Sequence, residues 1–260
     1  MPLFEPLKDL LKWQPPSQAE IISSGILPIG GKLVLAGEEE AYKTMLSTYA
    51  GFYIAMGLPL LGFRTTQVRV GMLQSELTKA MFRSRIEQLI TYHKHPFDKA
   101  DIYFATALDI KLNKPAGFAQ LAAAVKELKL GLLILDPLYK VLQGDVSDWQ
   151  EMDRLTTNLD FICRQYDCSI WLVHHRRKLQ LVGGSIVDLG GDELIGSSNL
   201  KDWADTILRL DKLEDDKRLL RFSKCRNARD IIKPIELKFN RQDLSFSVTS
   251  IDISAKELKE

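Results

Sequence analysis

The stretch 30–44 constrains the fold of this 260-residue chain more than any other. It reads Gly-Gly-Lys-Leu-Val-Leu-Ala-Gly-Glu-Glu-Glu-Ala-Tyr-Lys-Thr, and residues 45–56 continue it with apolar side chains at helical spacing. The apolar run 33–36 predicts a short buried strand, which a glycine-opened turn joins to the helix. A strand, such a turn and a helix that begins with Lys-Thr form the setting of a phosphate-binding loop, or P-loop.

The loop meets the motif G-x-x-x-x-G-K-[ST] at Gly37, Lys43 and Thr44, whereas Tyr42 replaces its second glycine. In a P-loop the backbone N–H groups and the helix N-terminus bind phosphate, the lysine neutralises the outer phosphates and the hydroxyl binds Mg2+. The candidate phosphate-binding residues are Gly37, Glu38, Glu39, Glu40, Ala41, Tyr42, Lys43 and Thr44.

Two features of the loop oppose phosphate binding. Tyr42 carries a Cβ where glycine would tolerate unusual backbone dihedral angles, and the run 38–40 brings three carboxylates towards a polyanion. At ~8 Å, a pair of like unit charges repels by about 2 kcal/mol at an effective dielectric constant of ~20, and by about 0.5 kcal/mol in water. An ordinary strand-turn-helix corner is therefore the alternative interpretation of the loop on its own.

Composition narrows the class of protein. The length suits one α/β domain with a large core. Lys and Arg (35) nearly balance Asp and Glu (34), so the chain lacks the overall basic charge of a nucleic-acid binder, and a DNA contact would need a local cluster or an assembly. The cysteines, three in number and without C-x-x-C spacing, favour reduced thiols in a cytoplasmic protein. Because no apolar run approaches ~18 residues, we expect no membrane span.

The hydrophobic pattern predicts three segments: an N-terminal arm packed on the domain (1–22), an α/β domain (23–248) and a charged C-terminal tail (249–260). Within the domain, strand patterns such as 102–106 alternate with helical patterns such as 149–166, which predicts a mainly parallel sheet flanked by helices. Beyond residue 205 four runs alternate polar and apolar residues between short turns. They predict antiparallel strands at the C-terminal side of the sheet.

Carboxylates follow two of the predicted parallel strands. Glu76 comes after the strand 68–73, and Asp136 ends the apolar run 132–135. Open α/β sheets bind their ligands at the carboxyl ends of such strands. A buried aspartate is costly without a partner, and Mg2+ beside a P-loop would provide one for Asp136. For Glu76 the alternative is a helix-capping pair with Ser75.

Another buried run, 169–173, ends in His174 and His175. Adjacent histidines can bind a metal, but no third ligand of suitable spacing is nearby. A hydrogen-bonding sensor at the strand end is the better interpretation. The glycine-rich stretch 176–198 follows, and a loop of this length in a compact domain is typically functional. It begins with the densest basic cluster of the sequence, whose alternative role is a solvated surface turn: Arg176, Arg177 and Lys178.

The order of these motifs resembles the RecA-type ATPases, specifically the RepA-like branch of the RecA/DnaB/KaiC superfamily. The shared order is a P-loop, Glu76, the pair Leu135-Asp136, a polar strand end, a long loop and a Lys-x-Arg element, here Lys224-Cys225-Arg226, between antiparallel strands. The narrower likeness depends on the wording Asp136-Pro137-Leu138 and Val173-His174-His175. The resemblance covers roughly residues 23–248.

The resemblance implies a RecA-like P-loop fold that binds ATP and Mg2+ between subunits. Lys43 and Thr44 would bind phosphate and metal, and Asp136 would support the metal. Glu76 would polarise the attacking water, which favours this role over helix capping. His175 would sense the γ-phosphate, with His174 as its substitute.

The resemblance also implies partners. Lys224 and Arg226 resemble the finger that reaches into the neighbouring subunit's site, so we expect a homo-oligomer, a hexamer or a filament. The loop 176–197 resembles the DNA-facing pore loops, so the expected partner is DNA, with a preference for single strands.

The resulting expectation is a helicase-like replication motor of a plasmid, phage or other mobile element. One alternative is a DNA-binding recombination or loading factor that uses ATP as an assembly switch without unwinding. A second is a nucleotide-binding scaffold with impaired hydrolysis, which the acidic run in the P-loop favours.

Overall fold

The structure is a computed structural model that describes residues 4–14, 19–175, 181–182, 185–186 and 198–250. Its strands are β1 (Glu20–Ile22), β2 (Leu27–Pro28), β3 (Lys32–Gly37), β4 (Val70–Gln74), β5 (Ile102–Thr106), β6 (Leu132–Asp136), β7 (Ser169–His175), β8 (Leu181–Val182), β9 (Ser185–Ile186), β10 (Thr206–Lys212), β11 (Lys217–Cys225), β12 (Ile235–Phe239) and β13 (Phe246–Ser250). Its helices are α1 (Leu7–Leu10), α2 (Lys43–Ala55), α3 (Lys79–Tyr92), α4 (Pro115–Leu128), α5 (Leu138–Val141), α6 (Trp149–Tyr166) and α7 (Ser198–Trp203), with a 3₁₀ turn at Phe97–Lys99.

Nine of the described strands form one sheet in the order β13-β12-β11-β10-β3-β7-β6-β4-β5. Neighbouring strands are parallel from β10 to β5 and antiparallel from β10 to β13. The predicted fold class, a mainly parallel sheet flanked by helices with antiparallel strands at the C-terminal side, is confirmed. Two short hairpins, β1-β2 and β8-β9, lie outside this sheet.

Continuous apolar runs make the central strands, since a parallel sheet covered on both faces buries every side chain of a strand. Along β3, Leu33 and Leu35 join a core cluster that contains α2 residues, whereas Val34 joins the cluster on the opposite face. Helices α2 and α3 pack against the first face, and α4 and α6 against the second. This three-layer packing fixes the strand ends that carry the polar residues.

The topology brings these polar strand ends to one edge of the sheet. The chain leaves β3 and crosses β7 and β6 to reach β4, so the strand order changes direction beside β3, where open α/β sheets bind ligands. Gly37 at the end of β3 is in register with His175 at the end of β7. Gln74 at the end of β4 is in register with Asp136 at the end of β6.

The N-terminal segment differs from the prediction of a packed arm. Apolar side chains of α1 and its flanks, such as Leu7 and Leu11, are 70 % and 73 % exposed, so the packing predicted for this piece is wrong. Strand β1, which also lies in the predicted arm, pairs with β2 and buries Ile21 and Ile22 in the core. Among the described residues, no helix combines the length and the apolar character that crossing a membrane requires.

Candidate functional site

The loop between β3 and α2 has the backbone of an anion-binding turn. Gly37 ends β3 close to β10, where a Cβ would lie 2.5 Å from the carbonyl oxygen of Leu210. Glu40 and Tyr42 adopt left-handed conformations, with φ of 58° and 68°. Such residues make successive N–H groups converge on one point, and the N-terminus of α2 at Lys43 adds positive potential.

Tyr42 takes the dihedral angle expected of the motif's glycine, and its side chain is held on three sides. The guanidinium of Arg218 lies 4.1 Å from the centre of its ring, and the ring of Phe239 lies 4.2 Å from it. Its phenol donates a hydrogen bond to Oδ1 of Asp216 over 3.1 Å. A left-handed residue with a Cβ costs about 1–2 kcal/mol, which a cation–π contact of about 0.5–2 kcal/mol and an aromatic pair of about 0.5–1.5 kcal/mol offset.

Lys43 is buried beneath the loop, with 4 % of its surface exposed. Its Nζ donates a hydrogen bond to the carbonyl oxygen of Glu38. Burial lowers the pKa of this amine to about 8, against the opposing charges of Asp136 and, more weakly, Glu76 and Glu39. A cation that is held only by a carbonyl of its own loop is free to exchange it for a phosphate oxygen.

The acidic residues of the loop, Glu38, Glu39 and Glu40, are all exposed. The carboxylate of Glu40 lies 3.0 Å from Nζ of Lys212, whose hydrogen bond holds the pKa of Glu40 below its usual range. These side chains therefore face outwards while the loop backbone faces the site. Their charge still reaches Lys43, because Glu39 and Glu38 both act to raise its pKa.

Asp136, the last residue of β6, is fully buried. Within the described part of the chain, neither of its carboxylate oxygens has a hydrogen-bond partner. Burial raises the pKa of this carboxyl to about 7, against the effects of the nearby Thr44 hydroxyl and, more weakly, Lys43. An orphaned carboxylate next to a P-loop threonine fits a hydrated Mg2+ ion, because hard oxygen ligands and water satisfy both groups.

Glu76 faces the same site from the end of β4, where two side chains contact it. Tyr139 donates a hydrogen bond to its Oε1 over 2.8 Å, and Nε2 of His175 lies 3.7 Å from the same oxygen. The helix-capping alternative for Glu76 does not hold, because α3 begins at Lys79 and the hydroxyl of Thr78 accepts the capping bond from the N–H of Met81. Glu76 is thus available for chemistry.

The two histidines differ because successive residues of a strand face opposite sides. His175 is half-buried and lines the cavity, whereas His174 is 7 % exposed. Burial and, secondarily, the charge of Lys43 lower the pKa of His175. The ring is therefore neutral at pH 7 and suits hydrogen bonding to a phosphate or a water.

A cavity of about 440 Å³ unites these residues, a size typical of small-molecule sites. Beyond the P-loop, Glu76 and His175, it is lined by residues that the sequence patterns did not single out: Arg85, Gln88, Phe239, Arg241 and Leu244. The amide of Gln88 donates to the carbonyl oxygens of Arg241 and Gln242, which fixes the β12–β13 turn against α3. The cavity thus extends from the phosphate loop to an aromatic and cationic rim.

Lys224 and Arg226 lie away from this cavity. Lys224 is in register with Ile207, which is in register with Val34 near the start of β3, so the pair lies towards the opposite edge of the sheet. The guanidinium of Arg226 contacts Oδ1 of Asp205 over 3.1 Å and donates to the carbonyl oxygen of Asp202 over 3.0 Å. It is half exposed, with 52 % of its side-chain surface accessible. The predicted DNA-contacting residues, Arg176, Arg177 and Lys178, and most of the 176–197 loop, fall outside the described residues.

The strand order, the loop and the two carboxylates define a RecA-type P-loop ATPase fold. The family whose description is "AAA domain" matches residues 3–180, more than half of the chain, and the protein belongs to this family. No curated protein matches the sequence. The recognised class, a RecA-type P-loop ATPase of the RecA/DnaB/KaiC group, is confirmed.

Solved structures share this fold at low sequence identity. The ATPase domain of a helicase matches with a TM-score of 0.66 and 12% identity over 94% of this chain and 95% of that chain. The RadB recombinase matches with 0.61 and 15% over 85% and 91%. A KaiC-like protein from Pyrococcus horikoshii matches with 0.61 and 16% over 90% and 96%. At these identities the likeness shows the fold alone.

Proposed function

We propose that this protein hydrolyses ATP with Mg2+ and uses the energy to act on DNA as a ring or filament. One observation supports this most directly. Lys43, Thr44, Glu76, Asp136 and His175 come from separate segments of the chain and converge at one sheet edge, around or beneath a single cavity. Together they provide the cation, hydroxyl, carboxylates and sensor that phosphoryl transfer from ATP requires.

Within this site each side chain has a distinct task. The backbone of 38–42 and Nζ of Lys43 would bind the phosphates, and Thr44 and Asp136 would hold Mg2+, which neutralises charge as the γ-phosphoryl leaves. Glu76 would orient a water and take up its proton at the carboxylate oxygen that Tyr139 and His175 also contact. The neutral ring of His175 would report the γ-phosphate by hydrogen bonding.

Assembly would complete the site. Lys224 and Arg226 lie towards the sheet edge opposite their own P-loop, so they suit a role on the ATP of a neighbouring subunit. An always-charged, planar guanidinium stabilises the charge that grows on the transferred phosphoryl. We propose a hexamer or a filament, with ATP between subunits and single-stranded DNA contacted by the 176–178 cluster.

The most specific form of the proposal is a RepA-like replicative helicase motor of a mobile element. The wording of the Asp136-Pro137-Leu138 and Val173-His174-His175 segments and the likeness to the helicase ATPase domain, which covers nearly the whole chain, favour it. The likeness to a recombinase, RadB, favours the second candidate, a recombination or loading factor that uses ATP as a switch. The acidic run 38–40 favours the third, a nucleotide-binding scaffold with impaired hydrolysis.

ATP turnover with and without single-stranded DNA tests the proposal. We expect hydrolysis that rises when DNA is added, loss of tight ATP binding in Lys43→Ala, and no change in a matched variant of an exposed lysine, Lys126→Ala. Strand displacement of a forked duplex separates the helicase from the loading factor. Single-turnover hydrolysis separates both from the scaffold, and equal ATP affinity in Lys43→Ala and the parent would contradict the P-loop assignment.

A further inference from the structure

Arg218 is a buried cation outside the residues assigned above to phosphate, metal or water. Only 3 % of its surface is exposed. Its hydrogen bonds within the described residues all go to backbone carbonyl oxygens. Nη2 donates to Glu40 over 3.2 Å and Nε to Ala41 over 3.3 Å, and Nη1 donates to Asp215 and Lys217.

These bonds join the start of β11 to the phosphate-binding loop. Leu220 on β11 is in register with Leu210, which is in register with Gly37, so Arg218 lies beside the point where β3 ends. It takes hold of the two loop carbonyls that precede Tyr42. When a carbonyl is bound on the outer side of the loop, the peptide plane turns the N–H group that follows it towards the inner side.

The face of the same guanidinium lies on the ring of Tyr42, whose other contacts are Phe239 and Asp216. Asp216 in turn binds Arg241 through hydrogen bonds of 2.9 and 3.0 Å, and Arg241 lines the cavity. A continuous set of contacts therefore runs from the loop backbone to the far rim of the site.

We propose that Arg218 and Tyr42 form a clamp that positions the phosphate-binding loop in place of the motif's second glycine. The inference rests on the proposed function, because it concerns the loop that would bind ATP. In this protein the aromatic residue is the part that makes the loop rigid, and restoring the motif's glycine weakens nucleotide binding.

Glycine at position 42 would remove what the clamp needs. It would take the ring away from a buried guanidinium, release Asp216 from one of its two partners, and add backbone freedom that has to be lost on binding. Lysine at position 218 would keep the charge but lose the planar fork that reaches two loop carbonyls and stacks on the ring.

The test compares Tyr42→Gly, Tyr42→Phe and Arg218→Lys by titrating each with Mg-ATP and measuring kcat and KM. We expect Tyr42→Phe, which keeps the ring, to bind ATP within about three-fold of the parent. Tyr42→Gly and Arg218→Lys should weaken ATP binding by about ten-fold or more, the size of a desolvated cation–π contact. KM should rise, whereas kcat at saturating ATP should change by less than KM, because Glu76 is untouched.

The double variant Tyr42→Gly/Arg218→Lys should bind ATP about as weakly as either single variant, since residues in one contact unit are not additive. If Arg218→Lys does not fold, Phe239→Leu removes the other wall of the clamp and should raise KM in the same way. ATP binding by Tyr42→Gly that equals or exceeds the parent's overturns the clamp. A parent that binds no ATP overturns the proposed function instead, and with it the clamp.

Discussion

The phenol of Tyr139 donates a hydrogen bond to Oε1 of Glu76 over 2.8 Å, and Nε2 of His175 lies 3.7 Å from the same oxygen. The rings of Tyr139 and His175 meet edge to face, with centroids 5.7 Å apart. The carboxylate therefore has a fixed direction at the end of β4. Burial, and then the contact with Glu76, raise the pKa of Tyr139 to about 12, so the phenol remains a donor at neutral pH.

Glu76→Gln should keep ATP binding and lose turnover by ~10²–10⁴-fold, because the amide cannot take up the proton of the attacking water. Binding is measured by titration and turnover by phosphate release on the same sample. Thr78→Ala is the matched control, since it removes the true cap of α3. It should lose about 1 kcal/mol of stability and keep its turnover. Unchanged turnover in Glu76→Gln would remove Glu76 from the mechanism.

Tyr139→Phe should lower kcat by about ten-fold at unchanged ATP affinity, because a hydrogen bond to a charged group contributes about 1.5–3 kcal/mol and part of it orients Glu76. The edge contact with His175 is kept. Tyr103→Phe is the control, since it removes a phenol that contacts a different carboxylate, Asp101, on the edge strand β5. If both variants retain full kcat, Tyr139 is only a neighbour of Glu76.

Local patterns were sufficient for most of the fold and for the strand ends. Strands 102–106 and 235–239 and helix 149–166 have the predicted bounds, because each is a self-contained run with a clear start, such as the Asp148 cap of α6. Tyr139 and Arg218 were missed for the opposite reason. Their roles depend on residues far away in the chain: Tyr42 and Asp216, for example, are 174 positions apart. No spacing rule records such a contact.

Asp136→Asn should stabilise the metal-free protein at high pH. Burial raises the pKa of Asp136 from 3.8 to about 7. Its contribution to stability is therefore fully present below about pH 4 and is lost as the pH rises through about 7. Relative to the parent, the asparagine variant should gain on the order of 1–4 kcal/mol between about pH 5 and about pH 8 in the presence of a chelator.

Denaturant unfolding at both pH values measures this gain. Asp109→Asn, at a side chain that is 90 % exposed, is the control and should show no such change with pH. Added Mg2+ should remove the advantage of Asp136→Asn, since the ion compensates the carboxylate of the parent only. A stability difference that is the same at both pH values would contradict a buried, ionisable Asp136.

Reversing the charges of Arg176, Arg177 and Lys178 should weaken binding to single-stranded DNA and flatten its salt dependence. Each phosphate contact that is lost removes about 0.7 units from the slope of log K against log salt concentration. Reversal of the exposed Lys126 and Lys129 at the end of α4 changes the net charge in the same direction and controls for long-range effects. An equal slope in the parent and the 176–178 variant would mark that cluster as ordinary surface.

Arg226→Ala should bind ATP and turn it over ~10³–10⁵-fold more slowly, which is the contribution of a finger supplied in trans. Arg226 contacts Asp205 in the structure, so it must exchange this ion pair for the neighbour's phosphate on assembly. Arg229→Ala, at an exposed arginine three residues further on, is the control and should keep its turnover.

Mixing Arg226→Ala with Lys43→Ala subunits distinguishes a trans role from a structural one. A mixed interface pairs an intact P-loop with an intact finger, so part of the activity should return although each variant alone is inactive. The fraction that returns should follow the mixing ratio, and subunit exchange is verified by mass spectrometry of the mixed assembly. Mixed rings without activity would show that Arg226 does not act on its neighbour's ATP, because every mixed ring contains at least one such complete interface.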